Sequence, residues 1–269
     1  MPGVTLLGVP YDASSSFLRG AAGAPKAIRD ALWSEAGNSW TENGIDLRAA
    51  SVEDAGDLVF TDGEPNEKAR ARIEAGVEAI ARSGRRPLVF GGDHSITYPV
   101  LRGFRPHHPR LTILHFDAHP DLYDEFEGDP YSHACPFARS LEEGLADRLV
   151  QVGIRTFTGH QREQARKFGV EAIEMKDWRD GRDLGLRGPV YISFDLDALE
   201  PGLVPGLSHP EPGGLTIRQA LAIIQGIGAP LVGADIVELN PSRDPSGISA
   251  AVAAKLAREL AGQMLRDDR

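Results

Sequence analysis

The chain has 269 residues, with 29 Lys and Arg against 39 Asp and Glu, a formal net charge of −10. That balance argues against a nucleic-acid partner, because a phosphate backbone is met by a clustered basic face and the one dense basic run, Arg82 to Arg86, is short and leads into an apolar stretch. Apolar residues make up 41% and charged residues 25%, which excludes disorder as the overall state, and mostly apolar runs such as Leu221 to Ile227 fall far short of the ~20 residues that a membrane span needs.

In chain order, Met1 to Pro10 is too short and uncharged for a signal peptide, and Val4 to Val9 reads as the first strand. Pro25 to Trp33 carries apolar residues at helical spacing, as does Glu67 to Ala81, for which Asn66 is the expected N-cap. Strands are expected at Arg86 to Phe90 and Leu111 to Phe116, followed by a helix at Pro136 to Glu143. Further strands at Leu149 to Ile154, Val190 to Phe194 and Leu231 to Val237 alternate with helices at Gly159 to Phe168, Ile217 to Ile227 and Ser249 to Leu265. The Pro/Gly-rich stretches Gly20 to Pro25 and Pro201 to Gly214 read as ordered loops between these elements. Such alternation is the signature of a parallel sheet covered by helices, and no repeat or linker interrupts it. The expectation is one three-layer α/β/α domain over residues 1–269 with a central, mainly parallel sheet. Cys135 is the only cysteine, so no intrachain disulfide forms and a reducing, cytoplasmic compartment is expected. Its position among helix-like residues assigns it to core packing.

Three segments place carboxylates and histidines directly after apolar strands: Phe90-Gly-Gly-Asp93-His94-Ser95, His115-Phe-Asp117-Ala-His119-Pro-Asp121, and Ser193-Phe-Asp195-Leu-Asp197 with Glu200 and Pro201 behind it. Ligands of open α/β sheets gather at the carboxyl ends of strands, so the three ends should converge. If each run stays extended, side chains two apart share a face, which aligns Asp117 with His119 and Asp121, and Asp195 with Asp197. Carboxylates stacked this way repel one another unless a cation neutralises them. Oxygen ligands with a minority of imidazole favour Mn²⁺ over Zn²⁺, and shared carboxylates can bridge two ions whose water is acidified toward neutral pH. Glu238, ending an apolar strand, can pair with a guanidinium, and His133, in the loop after the second motif, can move a proton to a leaving amine.

These segments together resemble the ureohydrolases, the arginase and agmatinase family, along nearly the whole chain. The similarity is closest to plant-type arginases and their bacterial relatives at Asp121 to Leu141, Pro205 to Leu215 and Asp235 to Asp244. The resemblance implies the arginase-type fold and two Mn²⁺ ions. His94, Asp117, Asp121 and Asp195 would hold one ion and Asp117, His119, Asp195 and Asp197 the other. Asp121 would take the proton of the attacking water, His133 would shuttle it to the leaving amine, and Glu238 would grip the guanidinium. A trimer or hexamer is also implied. Glu200 stands where many members have Asp, a change in the geometry around the ligands only. Two departures bear on the substrate: the segment around Thr158 lacks the acid that animal-type arginases use for the α-amino group, and the loop from Leu122 to Ser132 lacks the Ser/Thr/Asn-rich sequence that they use around the α-carboxylate. The expected reaction is hydrolysis of L-arginine to ornithine and urea. Agmatine or another guanidino or formimino compound is the alternative, and a two-metal phosphoesterase is a more distant one, disfavoured by Glu238.

Overall fold

The structure, a computed structural model, describes residues 3–61 and 63–266. The apolar runs form β1 (Val4–Gly8), β3 (Arg86–Phe90), β4 (Thr112–Phe116), β5 (Arg148–Ile154), β7 (Val190–Asp195) and β8 (Leu231–Val237). Two short strands, β2 (Val52–Asp57) and β6 (Glu171–Glu174), complete one open sheet in the order β2-β1-β3-β8-β7-β4-β5-β6, every pairing parallel. The inner strands are buried on both faces, as crossover helices require. Leu6, Leu88, Leu114, Ile192 and Ala234 pack under α1 (Ala24–Leu32), α6 (Ile217–Gln225) and α7 (Ile248–Leu265). Leu7, Val89, Ile113, Leu149 and Tyr191 face α2 (Asn66–Arg82), α3 (Thr97–Phe104), α4 (Pro136–Glu142) and α5 (Gly159–Phe168).

Three elements escape periodicity for identifiable reasons. β2 and β6 are the sheet's outer edges, short and rich in Asp and Glu; β2 is mostly exposed and β6 buries only Ile173, so main-chain pairing does most to hold them. α3 is buried on nearly every side, Arg102 excepted, and at eight residues with Pro99 inside it is too short a run to read as a helix from spacing alone. The expected cap of α2 is also corrected: Asn66 is already helical, and Pro65, at φ −57° and ψ 134°, occupies the N-cap without a side-chain bond. Cys135 is fully buried at the start of α4, and burial pushes its thiol up to about 12. Among the described residues no helix is long and apolar enough to cross a membrane.

Candidate metal centre and pocket

Four neighbouring strands, β3, β8, β7 and β4, open their carboxyl ends at the same edge of the sheet. His94 lies just past β3, Glu238 just past β8, Asp195 ends β7 with Asp197 two residues on, and Asp117, His119 and Asp121 follow β4. The His94 Nδ1 atom sits 3.1 Å from Asp117 Oδ2, 2.9 Å from Asp121 Oδ2 and 3.3 Å from Asp195 Oδ2. The His119 Nδ1 atom sits 3.3 Å from Asp117 Oδ1 and 2.9 Å from Asp197 Oδ2. The two imidazoles thus flank one Asp117 carboxylate from opposite oxygens.

The residues converge through turns, not through the period-two alternation expected of an extended run. β4 ends at Phe116, and the Asp117 Oδ1 atom accepts the His119 N–H at 2.6 Å. Likewise Asp195 caps a 3₁₀ turn at Leu196–Ala198, its Oδ1 accepting the Asp197 N–H at 2.7 Å. Asp121 and Glu238 adopt left-handed backbone, φ 50° and 64°. Before His94 the chain passes so close to the β1 exit that a Cβ on Gly92 would fall 1.9 Å from the Tyr11 carbonyl oxygen, so this position needs glycine.

Behind the carboxylates lies a layer that sequence reasoning missed. His94 Nε2 meets Ser193 Oγ at 2.9 Å, and that hydroxyl donates to Asp235 Oδ1 at 2.7 Å. Asp235 Oδ2 accepts from the Tyr191 hydroxyl at 2.9 Å and from Thr97 Oγ1 at 3.1 Å. Since Ser193 spends its proton on Asp235, the His94 ring proton lies on Nε2 and the Nδ1 lone pair points at the carboxylates. That Nδ1 is buried and makes no hydrogen bond of proper geometry. An orphaned lone pair amid three carboxylates fits a cation ligand and little else. His115 also borders the cluster, but both its nitrogens are engaged: Nδ1 accepts from Gln151 Nε2 at 3.0 Å and Nε2 donates to Asp117 Oδ2 at 2.8 Å. The only sequence signal of this layer is a scatter of polar residues inside apolar strands.

The electrostatics point to missing positive charge. Burial, then repulsion from Asp197 and Asp117, holds Asp195 well above the usual carboxylate range; burial and Asp117 push Asp197 up to about 6. Burial opposes the charging of His94 and His119, yet the surrounding carboxylates hold both well above the ordinary imidazole value. Oxygen donors dominate and two imidazole nitrogens complete the set, so the residues fit a pair of hard divalent cations.

Above them lies a cleft of about 260 Å³ lined by Ser16, His119, Asp121, Tyr123, Phe126, His133, Ala134, Thr156, Thr158, Gln161, Asp195, Asp197, His209 and Glu238. Glu238 Oε1 accepts the His94 N–H at 2.9 Å and bonds His133 Nδ1 at 3.0 Å, leaving Oε2 for an incoming cation. Burial works against its ionisation, but His133 holds the carboxyl below its ordinary value. Among the described residues no Lys or Arg lines the cleft. Arg155, nearest in sequence, spends its guanidinium on the carbonyls of Gly153, Asp197 and Glu211. Glu200 accepts the Gly213 and Gly214 N–H groups at 2.7 and 3.0 Å, latching the loop that carries His209. Thr158 caps α5 in a reciprocal box with Gln161. A larger cleft of about 510 Å³, between residues 178–186 and α6, gathers no histidine or carboxylate set of this kind among the described residues.

The family model of the Arginase family matches residues 2–262. The mitochondrial arginase of Medicago truncatula is 47% identical over 97% of this chain and 81% of its own length, and arginase 2 of Arabidopsis thaliana, named chloroplastic/mitochondrial, is 46% identical over 96% and 80%. The solved arginase of Medicago truncatula superposes with a TM-score of 0.92 at 45% identity, over 98% of this chain and 87% of that one. The organellar names of these relatives overturn the expectation of a cytoplasmic compartment. A single cysteine reports only a reducing milieu, which does not single out the cytoplasm. Sequence similarity along almost the full length and the shared open parallel sheet agree on one conclusion: the chain belongs to the arginase family.

Proposed function

We propose that residues 1–269 act as one ureohydrolase domain that hydrolyses L-arginine to ornithine and urea with two Mn²⁺ ions. The observation that carries the reading is Glu238, a buried carboxylate held below its ordinary value with one oxygen unspent, set beside the ligand cluster in a cleft whose described lining holds no Lys or Arg. A guanidinium satisfies that carboxylate bidentately or by a single charged bond, whereas a phosphoester would be repelled by it and would find no Lys or Arg for its leaving group.

His94, Asp117, Asp121 and Asp195 are assigned to one ion and Asp117, His119, Asp195 and Asp197 to the other, with Asp117 and Asp195 shared. When bound, the ions neutralise the cluster and bring the pKa of a coordinated water close to 7. The remaining work belongs to the chain. Glu238 fixes the guanidino carbon over the cluster, Asp121 takes the proton of the attacking water on Oδ, and His133 supplies the proton that lets the amine leave as its C–N bond breaks.

Away from the carboxylates the cleft is lined by Tyr123, Phe126, Thr158 and Gln161, with no Lys or Arg among the described lining residues to pair with an α-carboxylate, and this makes agmatine the alternative. Parallel urea-release assays with arginine and agmatine after Mn²⁺ loading test the proposal. A kcat/KM for arginine above that for agmatine is expected. Agmatine ahead by about tenfold or more, a 1.4 kcal/mol reversal, would replace the substrate, and no urea from either would remove the reading. A trimer or hexamer is proposed with it, checked by light scattering.

A further inference from the structure

His133 is buried, and each of its ring nitrogens has a partner inside the protein. On one side Nδ1 faces Glu238 Oε1 at 3.0 Å. Because that carboxylate can only accept, Nδ1 carries a proton and keeps it, the arrangement by which a carboxylate fixes the tautomer of a catalytic imidazole. On the other side Nε2 lies 2.8 Å from Ser16 Oγ and 3.3 Å from the Ser16 N–H. The loop bearing Ser16 is anchored for this contact: the His133 N–H donates to the Ser14 carbonyl at 3.2 Å, and the Ser14 N–H donates to Asp93 Oδ2 at 2.9 Å. Ser16 itself is exposed and lines the mouth of the cleft. Glu238, Asp93, Asp121 and His209 are the other titratable groups acting on the ring.

The exchangeable proton of His133 is therefore the one on Nε2. Of the two Ser16 groups that face it, the backbone N–H can only donate, while the hydroxyl can donate to the neutral ring and accept from the charged one. We propose that Ser16 is the relay through which His133 exchanges this proton with the cleft. As the C–N bond breaks, the Nε2 proton passes to Ser16 Oγ while the Ser16 hydroxyl proton passes to the departing amine nitrogen, leaving serine unchanged and imidazole neutral. The same hydroxyl reloads the ring from water at the cleft mouth, one proton entering Oγ as one leaves it for Nε2.

The inference rests on the ureohydrolase reading, and the experiment separates the two. Urea release by the Mn²⁺-loaded wild type is measured first; its absence defeats the proposed function and the relay with it. With an active wild type, Ser16→Ala retains the backbone N–H contact and removes only the hydroxyl. It should lower kcat by roughly 10- to 100-fold, within the range of a lost general-acid path, and leave KM within about twofold. Ser16→Thr should restore most of kcat, and Ser16→Ala/His133→Asn should be no slower than His133→Asn alone, since groups in one relay are not lost twice. The relay is overturned if Ser16→Ala keeps kcat, if KM alone changes, if threonine restores nothing, or if the two single losses multiply.

Discussion

Asp121 and Glu238 are the two pocket carboxylates in left-handed backbone, a conformation that costs a non-glycine residue on the order of 1 kcal/mol or more. That strain turns each carboxyl back toward the cleft at the point where its strand or motif has already ended. His133 carries a different kind of stored energy. Burial would push its imidazole down, but the Glu238 carboxylate on Nδ1 outweighs this and holds it at about 9. A raised imidazole stabilises the fold fully below its unfolded value near 6.5, and that contribution fades as pH climbs through 9. In the metal-free protein the stabilisation at pH 6 should be about 3 kcal/mol, from 1.36 kcal/mol per pKa unit. Urea unfolding of chelated wild type should therefore weaken between pH 7 and 10, while His133→Asn should be weaker at pH 6 and lose stability less steeply across that window, the remaining slope belonging to His94 and His119; equal slopes would refute the assignment. At this scale the His-x-Asp-x-His-x-Asp and Asp-x-Asp runs were legible, because carboxylates gathered after apolar strands have few structural explanations. Gln151, Ser193 and Asp235 were not: a polar residue within a buried strand looks the same in sequence whether it orients a ligand or satisfies a neighbour.

At the scale of elements, the β4–β5 pair sets the backbone of the cluster. Gly153 in β5 has φ 103°, and a Cβ there would lie 2.6 Å from the Asp117 carbonyl oxygen. The Asp117 N–H, meanwhile, donates to the Val152 carbonyl at 3.1 Å. Gly153→Ala should thus cost about 2 to 4 kcal/mol in urea unfolding through left-handed strain and backbone displacement. It should also release Mn²⁺ to a chelator faster than wild type, since the Asp117 carboxylate moves with its backbone. Unchanged metal retention with lowered stability would separate the glycine from the centre. The six apolar strands were readable within a residue or two of their ends, since a strand buried on both faces must be a short apolar run between turns. β2 and β6 were invisible because edge pairing leaves no apolar period, and α3 because eight residues containing Pro99 are too short a run to establish one.

Across the whole molecule the proposed function makes the buried cluster a link between folding and cation binding. Asp117, Asp195 and Asp197 are each nearly or fully inaccessible. Withdrawing the neutralising charge leaves them to repel in a low-dielectric interior, relieved only by taking up protons. At cation concentrations ~1,000-fold above Kd, binding adds about 4 kcal/mol, so chelation at pH 7.5 should lower Tm by roughly 10 °C. Calorimetry with and without EDTA measures this, and an unchanged Tm would mean that the cluster is not where the metal binds.

The last strand in sequence, β8, lies in the middle of the sheet, between β3 and β7. Until Leu231–Val237 has left the ribosome, β2-β1-β3 and β7-β4-β5-β6 are two half-sheets with no pairing between them. His94 belongs to the first half and every other metal-cluster residue to the second, while Glu238 arrives with β8 itself. The centre therefore comes together late in synthesis, after closures spanning well over a hundred residues, a slow kind of contact to form. A nascent chain stopped short of β8 holds the first two motifs on separate surfaces, and it is the arrival of one apolar strand that makes them a site.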